Sequence, residues 1–245
     1  MSLELFVLSW GVYPRRVLIY LAEKGLLNST HLRITPVTLS GNGIEMIAPG
    51  KPPGTLPILS LGNEKFIKQS VAVIEYFEDI CDAAQYSSSP ASAQAKLGSE
   101  SGPSMRGNSP EERARVREIL ALAEEATMHF GVACHKGTAL FAGLEEQDSK
   151  ISKFSLDACK KALALIEAYY VDEYRPDEGE GKVTMADCVL FSLLQFSKEL
   201  YGRDLIEDFA ALRKFYSMFK ERESAKISDD FYPEMIKTMA HDWSV

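Results

Sequence analysis

From about residue 110 to the end of the chain the apolar residues keep a single period, 3.6 residues, with no extended run to interrupt it. Val116, Leu120, Ala123 and Phe130 form one stripe, and Leu156, Cys159, Leu163, Ile166 and Tyr170 a second. Leu205, Phe209, Leu212, Tyr216 and Phe219 form a third. Sequence patterned this way can bury its apolar stripes only by packing helix on helix. The first 82 residues follow a different pattern. Two domains are therefore expected, in keeping with 245 residues at roughly 100 to 200 per domain.

In the first part, residues 3–8 (LELFVL) are extended and apolar and run through Ser9-Trp10-Gly11-Val12-Tyr13 into Pro14. Pro14 suits a first helical position, Val17, Leu18 and Leu21 recur near helical spacing, and Gly25 stands where a left-handed cap is wanted, which predicts a helix over 14–24. Residues 32–38 (LRITPVT) are β-rich but broken by Pro36, the mark of an edge or short strand. Residues 57–61 and 64–68 flank Gly62-Asn63, a two-residue loop that predicts an antiparallel hairpin. Ser70 then caps a helix whose stripe is Val73, Ile74, Phe77, Ile80 and Cys81. The order β-α-β, then β-β-α, is the thioredoxin-like pattern of a mixed four-stranded sheet.

Residues 87–109 hold eight serines and no aromatic residue. By composition this stretch buries too little apolar area to order itself, so it reads as a flexible linker or insert. It separates a domain over 1–86 from an all-helical domain over 110–245.

Asp and Glu number 35 against 27 Lys and Arg, a net charge of −8. Such a surface repels phosphate backbones and anionic membranes, so neither nucleic acid nor membrane is expected as a partner. No apolar run reaches the 18 or so residues of a membrane span, and residues 1–10 alternate like a strand rather than a secretory leader; a cytoplasmic location is expected. Cys81, Cys134, Cys159 and Cys188 have no CxxC or metal-finger spacing and read as reduced core thiols. His129, Cys134 and His135 do not place three ligands on one helix face, so no metal is expected. Thr184 and Asp187, just ahead of the apolar run from Cys188 to Phe191, form a capping box, which is structural and carries no chemistry.

Four stretches, in order along the chain, resemble motifs of the cytosolic glutathione transferases, with an appearance nearest to fungal members, including those of natural-product pathways. Tyr13-Pro14-Arg15-Arg16-Val17 resembles the opening of that family's first helix. Gly54-Thr55-Leu56-Pro57-Ile58-Leu59 resembles its segment with a cis proline, Gln69-Ser70 its Glu/Gln-Ser pair, and Val183-Thr184-Met185-Ala186-Asp187 the capping box of its buried helix. The resemblance implies a thioredoxin-like α/β N-terminal domain, an all-α C-terminal domain, and a homodimer.

It also implies a glutathione site. The Leu56-Pro57 bond would be cis, with the Leu56 backbone pairing with the cysteinyl part and Thr55 in the same loop. Gln69 and Ser70 would hold the γ-glutamyl end, where a helix start suits a carboxylate. Lys51 is placed either to meet the glycyl carboxylate or to remain a solvated loop lysine. In the family a Ser, Tyr or Cys just after the first strand stabilises the glutathione thiolate; here that position is Gly11, which has no side chain to donate. Ser9, Tyr13 and the backbone at the helix start are the three candidates to replace it. Trp10, Gly11 and Val12 would line the pocket for the second substrate, and Trp243 stands near a terminus.

Three functions follow from the resemblance. One is a transferase that adds the glutathione thiolate to an apolar electrophile. Another is a glutathione-dependent cis/trans isomerase of a conjugated alkene, acting by reversible thiolate addition. The third is a non-catalytic adaptor or regulator on the same fold, which Gly11 would suit.

Overall fold

The computed structural model describes residues 3–40, 45–85, 93–172 and 183–244. The chain divides into two compact units, Met1–Asn108 and Ser109–Val245. In the first unit, β1 (Leu3–Val7), β2 (Leu32–Pro36), β5 (Ile58–Gly62) and β6 (Lys65–Ile67) form one sheet in the order β2-β1-β5-β6. β1 runs parallel to β2 and antiparallel to β5, so Leu5 lies opposite both Ile34 and Leu59. Leu3, Leu5, Phe6 and Val7 on this inner strand are all buried, and Pro36 ends an edge strand, where its missing N–H does no harm. β3 (Thr38–Leu39) and β4 (Met46–Ile47) pair with each other as a separate ribbon. This is the thioredoxin-like mixed sheet that the order of elements predicts.

α1 (Val12–Glu23) begins two residues earlier than expected, which puts Pro14 third in the helix. It ends as expected at Gly25, φ +78°, with Gly25 N–H bonded to Ala22 O at 3.1 Å and Leu26 N–H to Leu21 O at 2.7 Å. Those two bonds are the Schellman closure that a residue without Cβ permits. The hairpin turn falls one residue later than Gly62-Asn63. Asn63 and Glu64, at φ 51° and 57°, occupy it, and Gly62 ends β5 opposite Lys65 at an irregularity in the register.

α1 packs on α2 (Ser70–Gln85) through a polar stripe that periodicity alone does not reveal. Arg16, Tyr20 and Lys24, four residues apart, are all buried. Arg16 Nη1 donates to Ser70 Oγ at 3.4 Å, and the Tyr20 hydroxyl donates to Glu78 Oε1 at 2.7 Å. Lys24 Nζ lies 2.7 Å from the same Glu78 oxygen.

The Ser-rich stretch differs from its reading as a flexible linker, while residues 86–92 lie outside the described residues. α3 (Ala93–Ser99) packs on α2, burying Leu97 completely, and Met105 is buried beyond it. Gly98 explains the close approach, because a Cβ there would stand 2.6 Å from Ile80 O. Ser104 Oγ and Met105 N–H donate to Glu78 Oε2, Lys24 Nζ donates to Pro103 O, and Arg106 pairs with Asp79 at 2.6 Å. Residues 93–108 thus belong to the first unit, ordered by partners on α1 and α2 rather than by their own composition.

Among the described residues the second unit is built of helices: α4 (Pro110–Gly137), α5 (Ser149–Asp172), α6 (Met185–Gln195), α7 (Ala210–Lys220) and α8 (Glu234–His241). α4 opens with a Ser109/Glu112 capping box and Pro110 at its first position. Every residue of α6 is buried. Its capping box forms as predicted: Thr184 Oγ1 accepts from Asp187 N–H, Asp187 Oδ2 accepts from Thr184 N–H at 2.7 Å, and Tyr170 donates to Asp187 Oδ1 at 2.7 Å. Trp243 packs within this unit, near Phe130 and Tyr201, and donates to Tyr201 O at 3.0 Å. All four cysteines are free and buried; burial pushes the Cys134 and Cys81 thiols up, and Cys159 up to about 12.

Candidate functional site

The candidate site lies in the first unit, where three chain reversals present backbone and polar groups: the turn from β1 to α1, the loop ahead of β5, and the start of α2. The first reversal is closed by Gly11 N–H on Leu8 O at 2.9 Å. Gly11 then occupies the N-cap of α1 at φ −74°, ψ 139°, and supplies no side-chain cap. A Cβ there would lie 3.3 Å from Leu8 O and from Pro14 Cδ, so the turn is drawn tightly around the glycine. Ser9 and Tyr13 are exposed, with Trp10, Gly11 and Val12 half-buried between them. Among the described residues no hydrogen bond joins Ser9 to another candidate site residue.

In the second reversal the Leu56-Pro57 peptide is cis, as expected. Leu56 packs its side chain with Phe6, Val37 and Ile58. Its peptide groups precede the first ladder residue of β5, Ile58. Thr55 is exposed and Gly54 sits at φ +128°, a conformation that side chains resist. Lys51 Nζ donates to Pro52 O at 3.2 Å and to Gly54 O at 3.3 Å, and Lys68 Nζ donates to Pro53 O at 2.8 Å. Two ammonium groups therefore brace one loop. Nothing in the sequence distinguishes Lys68 from any other lysine at the end of a strand.

The third reversal corrects one detail. Gln69, not Ser70, holds the N-cap place of α2: its carbonyl accepts from Val73 N–H at 2.9 Å, and Ser70 is the first helical residue. Ser70 is only 4% exposed, and its hydroxyl accepts from Arg16 instead of capping the helix. The Arg16 guanidinium also lies over the Tyr13 ring, 4.8 Å from its centroid. The structure thus joins Tyr13 to Ser70 through a residue that sequence reading treated only as part of a motif. The sequence carries no local signal for it, because burial of a charge on α1 depends on what α2 offers it.

Away from this face, His135 stacks on Phe141 with centroids 3.7 Å apart and its Nδ1 is 2.5 Å from Glu145 Oε1. Cys134, on the same helix, is buried. A groove of about 650 Å³ opens between α4 and α5, lined by Arg115, Glu118, Leu122, Leu165 and Tyr169 among others, and holds none of the sequence-derived site residues.

A thioredoxin-like sheet unit with a cis-proline loop ahead of β5 and a Gln-Ser pair at the start of α2, followed by an all-helical unit, defines a glutathione-transferase-like protein. Profiles of the glutathione S-transferase N-terminal domain and C-terminal domain match residues 10–80 and 134–227. The chain belongs to the glutathione S-transferase family. Among solved structures it is similar to Gtt2 from Saccharomyces cerevisiae, at 22% identity and TM-score 0.65, covering 91% of this chain and 98% of that one. It is also similar to a glutathione transferase family member from Pseudomonas fluorescens Pf-5 with bound glutathione, at 20% identity and TM-score 0.67, covering 91% and 97%. A third is glutathione transferase Omega 3C from Trametes versicolor, at 18% identity and TM-score 0.65, covering 98% and 90%. No curated protein sequence matches the chain.

Proposed function

We propose that this chain binds glutathione on the face formed by the starts of α1 and α2 and the loop ahead of β5, and transfers its thiolate to an apolar electrophile. The observation that carries the reading is the buried Arg16 guanidinium set against Ser70 Oγ. A cation removed from water is costly unless it serves a partner. The start of α2, with its free N–H groups and dipole, suits the γ-glutamyl carboxylate there, with Gln69 exposed beside it. The Leu56 peptide groups, ahead of the β5 ladder, suit the backbone of the cysteinyl residue. Thr55 and Lys51 then fall toward the glycyl end; the Lys51 ammonium, on long bonds to its loop carbonyls, can turn to that carboxylate.

A thiol with an unperturbed pKa of about 8.5 attacks only as the thiolate. Ser9, Tyr13 and the start of α1 are the groups near Gly11 that can lower it. The sulfur lone pair forms the C–S bond; the leaving group departs with its bonding pair, or in a conjugate addition the adjacent carbon takes a proton from solvent. Trp10, Gly11 and Val12 offer the half-buried apolar wall for that second substrate. The family resemblance supports a cytoplasmic homodimer. Among the described residues no helix is long and apolar enough to cross a membrane.

The same thiolate, adding reversibly to a conjugated alkene, gives the isomerase reading, and the bare Gly11 favours the adaptor reading. Incubation with glutathione and, in parallel, an aryl halide or a conjugated cis alkene separates them. Conjugate formation supports the transferase, whereas alkene isomerisation that consumes no glutathione supports the isomerase. Calorimetry supplies the binding test: Ser70→Ala should weaken glutathione by about tenfold, and unchanged affinity would overturn the proposed pose.

A further inference from the structure

One buried cation stands behind two of the hydroxyls that the proposed reaction uses. Arg16 is 0% exposed, so it touches no ligand and can act only through its neighbours. Those neighbours face the proposed site from two directions. Its Nη1 donates to the oxygen of Ser70, and its guanidinium carbon lies over the ring of Tyr13, which is 40% exposed. Three residues apart on α1, Tyr13 and Arg16 share a helix face, and α2 brings Ser70 alongside.

We propose that Arg16 is a positioning residue that serves bound glutathione at two points, selecting the γ-glutamyl carboxylate through Ser70 and readying the central cysteinyl thiol through Tyr13. The inference rests on the glutathione reading above. By accepting from the guanidinium, Ser70 Oγ commits a lone pair inward and is left to donate its own proton outward; the charge behind it makes that proton a stronger donor to a carboxylate. On the other side the cation draws on the π density of Tyr13, which makes the phenol a better donor toward a sulfur anion. A guanidinium meets the ring and the hydroxyl from different parts of one extended planar group, whereas an ammonium is a compact point charge.

The test compares affinity for glutathione with affinity for cysteinylglycine, which lacks the γ-glutamyl residue, in the parent protein, Arg16→Met and Arg16→Lys. The parent is expected to favour glutathione. In Arg16→Met that preference should fall by about tenfold or more, while cysteinylglycine affinity moves by less than about threefold. Absorbance of the bound thiolate at neutral pH reads the other arm. It should drop in Arg16→Met and in Tyr13→Phe, and drop no further in the double variant. Unaltered preference and unaltered thiolate in a folded Arg16→Met protein would overturn the inference.

If Arg16→Met loses its thermal transition, Arg16→Lys carries the test. Lysine has to reach both Ser70 and Tyr13 from one compact ammonium, so one of the two readouts should fall by at least about threefold, and neither falling refutes the role. A parent protein that binds neither compound overturns the glutathione reading itself, which keeps the two failures distinct.

Discussion

Glu78 is the point on which the first unit is most exposed to damage. Its carboxylate accepts from the Tyr20 hydroxyl at 2.7 Å, the Ser104 hydroxyl at 3.2 Å and Met105 N–H at 3.1 Å, and pairs with Lys24 Nζ at 2.7 Å. Both charged side chains are 0% exposed. Truncation in Glu78→Ala leaves the Lys24 ammonium buried with the Pro103 carbonyl, 2.9 Å away, as its remaining described partner. Breaking a buried pair from one side costs about 3–5 kcal/mol, because the survivor is an uncompensated charge. For a protein of this size that corresponds to a fall of roughly 6 to 20 °C in the thermal midpoint. The double variant Lys24→Met/Glu78→Leu removes both charges and keeps the volume, so it should recover most of the loss. Thermal unfolding of the three proteins, followed by circular dichroism, is the assay. A Glu78→Ala protein within about 1 kcal/mol of the parent, or a double variant no better than the single, would refute the claim that this ion pair ties α1, α2 and the 100–106 segment together.

Deleting residues 93–108 should abolish cooperative unfolding of the first unit, since it removes the buried Leu97 and Met105 and two donors to Glu78; a deleted protein with an unchanged transition would contradict this. Thr184→Ala should cost about 1 kcal/mol by chemical denaturation, the worth of one N-cap, because Asp187 keeps its bond from Tyr170. Cys159, with its thiol pushed up to about 12 by burial, should resist alkylation in the native protein at mildly alkaline pH and react once unfolded. Because its folded value is the higher one, its contribution is complete below about 8.5, the unfolded value, and is lost as pH rises toward 12. Native-state labelling of Cys159 as fast as that of the unfolded chain would contradict the burial.

The four strands of the sheet, α1, α2 and the capping box of α6 are legible because each is written locally, in period, in cap residues and in the glycine at position 25, whereas the β3–β4 ribbon is too short to show. The hairpin turn was misplaced by one residue because Gly62-Asn63 has the composition of a tight turn, yet Gly62 is used at the register irregularity and Glu64 is forced to a positive φ. Residues 93–108 were misread for a deeper reason. Their order comes from Gly98 against the α2 backbone and from the Lys24–Glu78 pair, none of which shows in the segment's own composition. At the candidate site the Leu56-Pro57 and Gln69-Ser70 positions were readable as motifs. Arg16 was not, since burial of a charge depends on what a distant helix offers it.

The measurement that bears most directly on the proposed site is an ultraviolet titration of the thiol of glutathione bound to the unmutated protein, repeated in Ser9→Ala and Tyr13→Phe. A site that activates glutathione should hold the bound thiol well below its unperturbed pKa of about 8.5. Loss of that shift in one variant names the donor, and its retention in both leaves the start of α1. A bound thiol that titrates at its ordinary value in the unmutated protein would contradict the transferase chemistry.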